Sequence, residues 1–317
     1  METQPKFKSL IFPERVEVEC SFCDSENNKV IDTLDDWKIV QCECGFCYTN
    51  PRPPKEKLHL FYMEDYFADE RHASKFYEAD GSKKLPPIDM ADPRIADIEN
   101  WFDKRGSLLD IGAARGYFLR TMKARGWNAQ GIEISEDAVR FAEENFNLNM
   151  HHGTIEDFPS DQKFDVITMY QTLEHVPDPK LVLQTAYEML NTGGILLVEV
   201  PNFKAHDIKR NKERKRLQYD LPRHLNHFTP AILKREFEKC NYNIIHLDKY
   251  HPQFMLDYNA KRSGNKQVSK GKQVSTETLS SNIPMKKLGQ NWKVSLIKSV
   301  SNFYPGWRFT IIGRKEA

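Results

Sequence analysis

The sequence predicts an α/β fold: a doubly wound, mostly parallel sheet with a small cysteine-rich module at its N-terminus. Three observations predict it. Strand-like and helix-like segments alternate between residues 104 and 250. A cluster of small residues in "SLLDIGAARGYFL" closes the first strand of that series. Five of the six cysteines, Cys20, Cys23, Cys42, Cys44 and Cys47, fall in one short N-terminal stretch.

The strands are expected at Ser107–Ile111, Asn128–Ile134, Leu148–His152, Phe164–Tyr170, Gly193–Val200 and Tyr242–Leu247. Between the first two, Phe118, Leu119 and Met122 share one helix face, and Gly126 supplies a C-terminal stop. Ser135 is suited to cap a helix carrying Val139, Ala142 and Phe146 at helical spacing. "PDPKLVLQTAYEML" opens on prolines, runs amphipathic and ends at "NTGG". Such alternation means parallel strands covered by helices on both faces. Three regions follow along the chain. Residues 1–53 form the cysteine module and end in the rigid "NPRPP". Residues 54–103 form a helical connector or lid around the polar "DGSKKLPP". Residues 104–317 form the main domain, with an insertion at about 251–306 whose "KRSGNKQVSKGKQVSTETLSS" is almost without large apolar side chains. A helix is expected over Val294–Phe303, and "WRFTIIGRKE" reads as a closing strand.

Composition bounds the function. The 317 residues are 39% hydrophobic, enough for a sizeable core. The net charge of +1 gives no global bias toward nucleic acid or acidic membrane. No run of 18 apolar residues exists, so no membrane span is expected. The N-terminus has no apolar signal core, and a soluble cytoplasmic protein is expected. In a reducing compartment clustered cysteines read as metal ligands rather than disulfides. Cys240 stands apart and reads as an ordinary small apolar residue. Two basic stretches, "KAHDIKRNKERKR" and "KRSGNKQVSKGK", are suited to phosphate groups or are simply solvated loop charge.

The small residues after Asp110 imply that a ligand touches the backbone there. A strand that ends at a glycine-rich turn before a helix aims backbone N–H groups into one pocket. The spacing is D-x-G-x-x-x-G, not the G-x-G-x-x-G of dinucleotide sites. Asp110 would repel a phosphate but suits a cationic ligand. Glu133 ends the next strand, where a carboxylate can accept hydrogen bonds from both ribose hydroxyls. Thr154, Ile155 and Glu156 follow the third strand, where an adenine ring would sit.

Taken together, "LLDIGAARG", "GIEIS", "FDVITMYQTLEHVPDP" and "LNTGGILLVEVPN" resemble the class I S-adenosylmethionine-dependent methyltransferases, from about Trp101 to Leu247. The resemblance implies a Rossmann-like, seven-stranded sheet whose last two strands form a hairpin, roles that "YNIIHLDKY" and "RFTIIGRK" fit. It implies that Asp110, Gly112, Ala113 and Gly116 hold the amino-acid end of the cofactor, and that Glu133 binds the ribose. Ile134, Thr154 and Ile155 would frame the adenine, and Tyr170 and Gln171 would close the methionyl side. Ala114 replaces a frequent glycine, and Thr154 stands where an aspartate is common.

The cysteines make two knuckles, Cys20-Ser-Phe-Cys23 and "CECGFC". Tetrahedral zinc takes four such thiolates and leaves no open position, so the role is structural. "WKIVQCECGFCYTNPRP" resembles a zinc-binding segment of methyltransferases for sugars and other small molecules. Generic spacing pairs Cys44 with Cys47; alignment to the glycine pairs Cys42 with Cys44, and we favour the latter.

Methyl transfer needs alignment and, for a hydroxyl or carbon acid, proton removal. Glu174-His175 follows the fourth strand on the methyl side, which makes His175 the candidate general base, assisted by Glu174. His224 and His227, in "LPRHLNHFTP", are candidate substrate contacts. A Glu-His pair with a later histidine also suits a divalent ion in some quinone and small-RNA methyltransferases. There a carboxylate stands three residues before the glutamate, and here that position is Gln171. The reading is therefore methyl transfer to a small-molecule acceptor, a sugar, sugar nucleotide or glycan precursor foremost. RNA methylation and a non-catalytic cofactor-binding scaffold are the alternatives.

Overall fold

The computed structural model describes residues 14–62, 85, 88–90, 92–159, 161–205, 212–248 and 307–316. The insertion expected at 251–306, with its helix at Val294–Phe303, lies outside the described residues.

The main sheet is built from β4 (Ser107–Ile111), β5 (Asn128–Glu133), β6 (Asn149–His152), β7 (Phe164–Tyr170), β8 (Leu190–Pro201), β10 (Tyr242–Asp248) and β11 (Arg308–Lys315). Its order is β10-β11-β8-β7-β4-β5-β6. The five strands from β8 to β6 run parallel, while β11 is antiparallel to both β8 and β10. The expected seven-stranded sheet with a terminal hairpin is therefore present. Several strand boundaries shift by a single residue, and the start of β8 shifts further. β8 starts at Leu190 rather than Gly193, because the preceding helix ends on an extended Leu190 and the chain enters the sheet directly.

Side-chain alternation sets the two layers. Leu109, Ile111, Ile167, Met169, Leu196 and Val198 bury one face. Leu108, Val166, Ile195 and Leu197 bury the other. A strand apolar on both faces is the signature of a parallel sheet covered twice. The helices are α1 (Pro93–Glu99), α2 (Tyr117–Ala124), α3 (Glu136–Phe146), α4 (Pro179–Met189), α5 (Lys212–Tyr219) and α6 (Pro230–Lys239), with a 3-10 helix at Lys55–Tyr62. Their starts follow the sequence: Ser135, Asp178 and Thr229 each accept a backbone N–H from the first turn. No helix among the described residues is long and apolar enough to cross a membrane.

β1 (Asn28–Leu34), β2 (Trp37–Cys42) and β3 (Cys47–Thr49) form a second, antiparallel sheet. Its fourth strand is β9 (Asn226–His227), from the main domain, paired with Cys47 and Tyr48. Phe22, Phe46 and Phe228 pack together across this junction, with ring centroids 4.6 Å apart for Phe22–Phe46 and 5.6 Å for Phe46–Phe228. The module and the main domain thus share one sheet and one apolar core.

Candidate functional site

The C-terminal ends of the parallel strands open on a cavity of about 350 Å³. Of the residues expected in the site, Gly112, Glu133, Ile134, Thr154, Ile155, Tyr170, Gln171 and His175 line it. Asp110, Ala113, Gly116, Glu174, His224 and His227 do not line it. A second depression, of about 390 Å³, lies over the cysteine module and is lined by residues such as Asn27, Asn28, Lys29 and Glu43. Of the expected site residues, Cys42 alone lines it.

The turn after β4 curls through left-handed backbone at Gly112 (φ 76°), Ala114 (φ 49°) and Gly116 (φ 73°). A Cβ on Gly112 would lie 2.4 Å from Thr172 Oγ1, and one on Gly116 would lie 2.5 Å from Leu148 Cδ1. Both positions thus require glycine for conformation and for space. Ala114 tolerates the left-handed region at a strain of about 1 kcal/mol. The curl aims the Ala114 N–H at Glu133 Oε2 (2.8 Å), while the Ser135 N–H donates to Glu133 Oε1 (2.9 Å). Each carboxylate oxygen keeps lone-pair capacity for a ligand hydroxyl.

Asp110 lies behind Gly112, on the face that carries Leu108. It accepts a hydrogen bond from Thr168 Oγ1 (2.7 Å), and the Arg94 guanidinium is its nearby cation. Burial pushes the Asp110 carboxyl up to about 6; the Thr168 hydroxyl and Arg94 pull it down, and Glu133 adds to the rise. Burial likewise raises Glu133, against the N–H groups of Ser135 and Ala114. Two acids are thus held where negative charge is poorly solvated, which favours a cationic ligand. Arg94 was not legible in the sequence. It is fixed by Asp92, the cap of α1, and lies over the rings of Phe118 (4.4 Å) and Tyr170 (5.1 Å).

At the other end, His175 Nδ1 lies 3.1 Å from the Arg223 carbonyl. A carbonyl only accepts, so the proton is on Nδ1, and Nε2 is the basic nitrogen of the neutral ring. His224 Nδ1 is likewise 3.0 Å from the Gln218 carbonyl. The two rings are 4.8 Å apart. The Arg223 carbonyl orients His175; Glu174 was expected to help, yet its Oε1 stands 3.9 Å from His175 Nε2, beyond hydrogen-bond reach. Both Glu174 carboxylate oxygens are buried without a hydrogen-bond partner among the described residues. Burial pushes this acid up to about 8, with Glu199 and Asp220 adding to the rise. Donor atoms of Glu174, His175 and His224 lie within 4.8 Å of one another. His227 is apart from them, packed on Phe203 at 5.2 Å and Tyr219 at 5.8 Å. Burial holds it down to about 3, so it is neutral. Sequence reading also missed Leu58 and Tyr62, which line the cavity; the Tyr62 ring stands edge-on to His175 at 6.1 Å.

In the N-terminal module the thiols of Cys20, Cys23, Cys42 and Cys44 lie within 4.8 Å of one another. Cys20–Cys44 sulfurs are 3.6 Å apart and Cys23–Cys42 sulfurs 3.4 Å. A disulfide needs about 2.05 Å, whereas thiolates about 2.3 Å from one zinc ion stand roughly 3.8 Å apart along a tetrahedron's edges. The donor set and spacing fit zinc. Cys47 is outside the group: it begins β3, leans on the Gly45 carbonyl at 3.8 Å and packs in the cluster of Leu34, Trp37 and Ile39.

Comparison with known proteins gives this arrangement its family. A methyltransferase-domain family model matches residues 89–247, half of the chain. The ubiquinone biosynthesis O-methyltransferase of Aromatoleum aromaticum is 30% identical over 158 residues, 44% of this chain and 66% of that protein. Its counterpart in Actinobacillus pleuropneumoniae serotype 5b is 33% identical over 149 residues, 42% of this chain and 62% of that protein. The chain thus spans just under two thirds of the length of these relatives. Among solved structures, a SAM-dependent methyltransferase from Archaeoglobus fulgidus superposes with a TM-score of 0.50 at 20% identity, covering 79% of this chain and 99% of that one. The plantazolicin methyltransferase BpumL, solved with SAH, does so with a TM-score of 0.50 at 16% identity, covering 82% and 94%. The chain belongs to the methyltransferase-domain family and carries the class I S-adenosylmethionine-dependent methyltransferase fold.

Proposed function

We propose that this chain transfers a methyl group from S-adenosylmethionine to a hydroxyl of a small-molecule acceptor. The observation that carries the reading is the pair of buried acids, Asp110 and Glu133, at adjacent strand ends beside the cavity. When bound, S-adenosylmethionine supplies a methyl group on a positively charged sulfur. On this reading Glu133 accepts the two ribose hydroxyls, and Ile134, Thr154 and Ile155 frame the adenine. Gly112, Tyr170 and Gln171 face the methionyl part, with Ala113 and Gly116 shaping the turn. Asp110 offers charge to the amino group, and Arg94 offers it to the carboxylate. His175 Nε2 takes the hydroxyl proton, a role worth about 10²–10⁴ in rate. His224 and His227 support the wall from behind.

The acceptor end carries Leu58, Tyr62, Val176 and Pro177, a surface suited to a planar phenolic ring. The curated relatives are named as O-methyltransferases of ubiquinone biosynthesis. The cysteine segment supports the other acceptor class, a sugar or glycan precursor, for which Lys55 at the cavity would meet a nucleotide phosphate. Methyl-labelled S-adenosylmethionine, incubated with catechols, nucleotide sugars and RNA, tests the reading. Label in a small-molecule ether is the expected result; label confined to RNA or to no acceptor overturns it.

A second reading of the histidine pair has its own support. A divalent cation would find Glu174 Oε and the Nε2 atoms of His175 and His224 as ligands, and it would relieve the unpartnered Glu174. For the cysteine module we propose one structural zinc on Cys20, Cys23, Cys42 and Cys44. Elemental analysis of the purified chain is expected to give one zinc per chain. Cys44→Ser should lose most of it and Cys47→Ser should keep it; the reverse pattern would assign Cys47 as the ligand.

A further inference from the structure

The strand β3 links the cysteine module to the His175 turn. Thr49, the last residue of β3, is fully buried. Its N–H donates to the Leu225 carbonyl (2.9 Å), and its hydroxyl donates to the His224 carbonyl (2.8 Å). That hydroxyl hydrogen being used, His227 Nε2, 3.1 Å away, must be the donor to Thr49 Oγ1. One side chain thus satisfies a carbonyl and a ring N–H that are both buried.

The opposite side of the same segment grips the turn. The N–H groups of Leu225 and Asn226 both donate to the Glu174 carbonyl, at 2.8 and 3.0 Å. The Asn226 amide donates to the carbonyls of Leu173 (3.2 Å) and Val176 (2.7 Å). Arg223, at the start of the segment, provides the carbonyl that accepts from His175 Nδ1. Residues 223–227 are therefore clamped between Thr49 and the Glu174-His175 turn.

We infer that Thr49 is a positioning residue for methyl transfer: its hydroxyl sets the 223–227 segment, which in turn fixes the tautomer and orientation of the His175 ring. This rests on the reading of His175 as the proton acceptor. Thr49→Val keeps the shape but leaves the His224 carbonyl and the His227 N–H buried without Thr49. The segment must shift to satisfy them, and a displacement near 1 Å at a reacting group lowers rate by about 10². Thr49→Ser keeps the hydroxyl and loses only a buried methyl, which lowers stability instead.

The two variants therefore separate positioning from structural support. Turnover is read as label passed from methyl-labelled S-adenosylmethionine, at saturation, into the small-molecule fraction of a cell extract. Ring tautomers are read by long-range ¹H–¹⁵N correlation of the histidines, with His175→Ala providing the assignment. For Thr49→Val the expected result is a tenfold or greater fall in turnover, unchanged cofactor affinity and a mixture of His175 tautomers. Thr49→Ser is expected to keep turnover and the Nδ1–H form even with a lower melting temperature. Wild-type turnover and a single tautomer in Thr49→Val overturn the inference, as does turnover that simply follows melting temperature in both variants. If Thr49→Val does not fold, Thr49→Ser decides alone: lost turnover or scrambled tautomers contradict the inference, and retained values support it. Full turnover in His175→Ala would instead overturn the underlying role of His175. An inactive His175→Ala beside a normal Thr49→Val would overturn only the role of Thr49.

Discussion

Glu133→Ala is expected to weaken S-adenosylmethionine binding about a hundredfold, measured by calorimetric titration near pH 7.5. The magnitude follows from two charge-assisted hydrogen bonds to the ribose, each worth about 1.5–3 kcal/mol. Two at the lower bound make about 3 kcal/mol, or roughly two decades in affinity. The substitution also removes the acceptor for the Ala114 and Ser135 N–H groups, so the turn after β4 loses its brace. Glu133→Gln retains the shape and one acceptor oxygen and should fall between the two. An Ala variant that binds within threefold of the parent would remove Glu133 from the ribose site.

His175→Ala is expected to lower turnover by about 10²–10⁴ while cofactor affinity stays unchanged, if the ring contributes the proposed proton transfer rather than cofactor binding. The same variant leaves the divalent-cation reading open, so a second comparison is needed. Glu174 is held neutral near pH 7 by burial that pushes it up to about 8, unless a cation compensates it. If His175 acts as a base alone, turnover survives chelation mild enough to spare the zinc proposed for the cysteines, and added Mg²⁺ or Mn²⁺ does not change it. If a cation is held there, turnover falls on chelation, returns with the ion, and is lost in Glu174→Gln.

Much of the main domain was legible because its signals are local and repeated. Apolar runs such as Leu108-Leu109 and Ile195-Leu196-Leu197-Val198 mark strands buried on both faces, and Ser135 and the prolines of "PDPKLVLQTAYEML" mark helix starts. The acids at the ends of β4 and β5 stood out because carboxylates are expensive to bury at strand ends. What stayed hidden depends on contacts between distant segments. β9 is two residues long, too short for any periodicity, yet it brings a main-domain segment into the N-terminal sheet. Spacing alone favoured Cys47 over Cys42 as the partner of Cys44. The three-residue β3 turns Cys47 toward Leu34 and Trp37, away from the other four sulfurs. Arg94 and Tyr62 reach the site from segments with no motif of their own. Glu174 looked like a partner for His175 because it is adjacent in sequence, and adjacency sent the two side chains apart.

If the buried acids make this a site for a cation, ligand binding must move protons. Asp110, raised to about 6, is partly protonated at pH 6 in the empty site. A bound cation favours its ionised form, so binding at pH 6 must release protons, and affinity must fall as pH drops further. At pH 8 the acid is already ionised and the release should vanish. Titration with S-adenosylmethionine at pH 6 and pH 8, in buffers of different ionisation enthalpy, reads this directly. Proton release at the lower pH alone is the expected result; no binding heat at either pH, or proton uptake at pH 6, would contradict it.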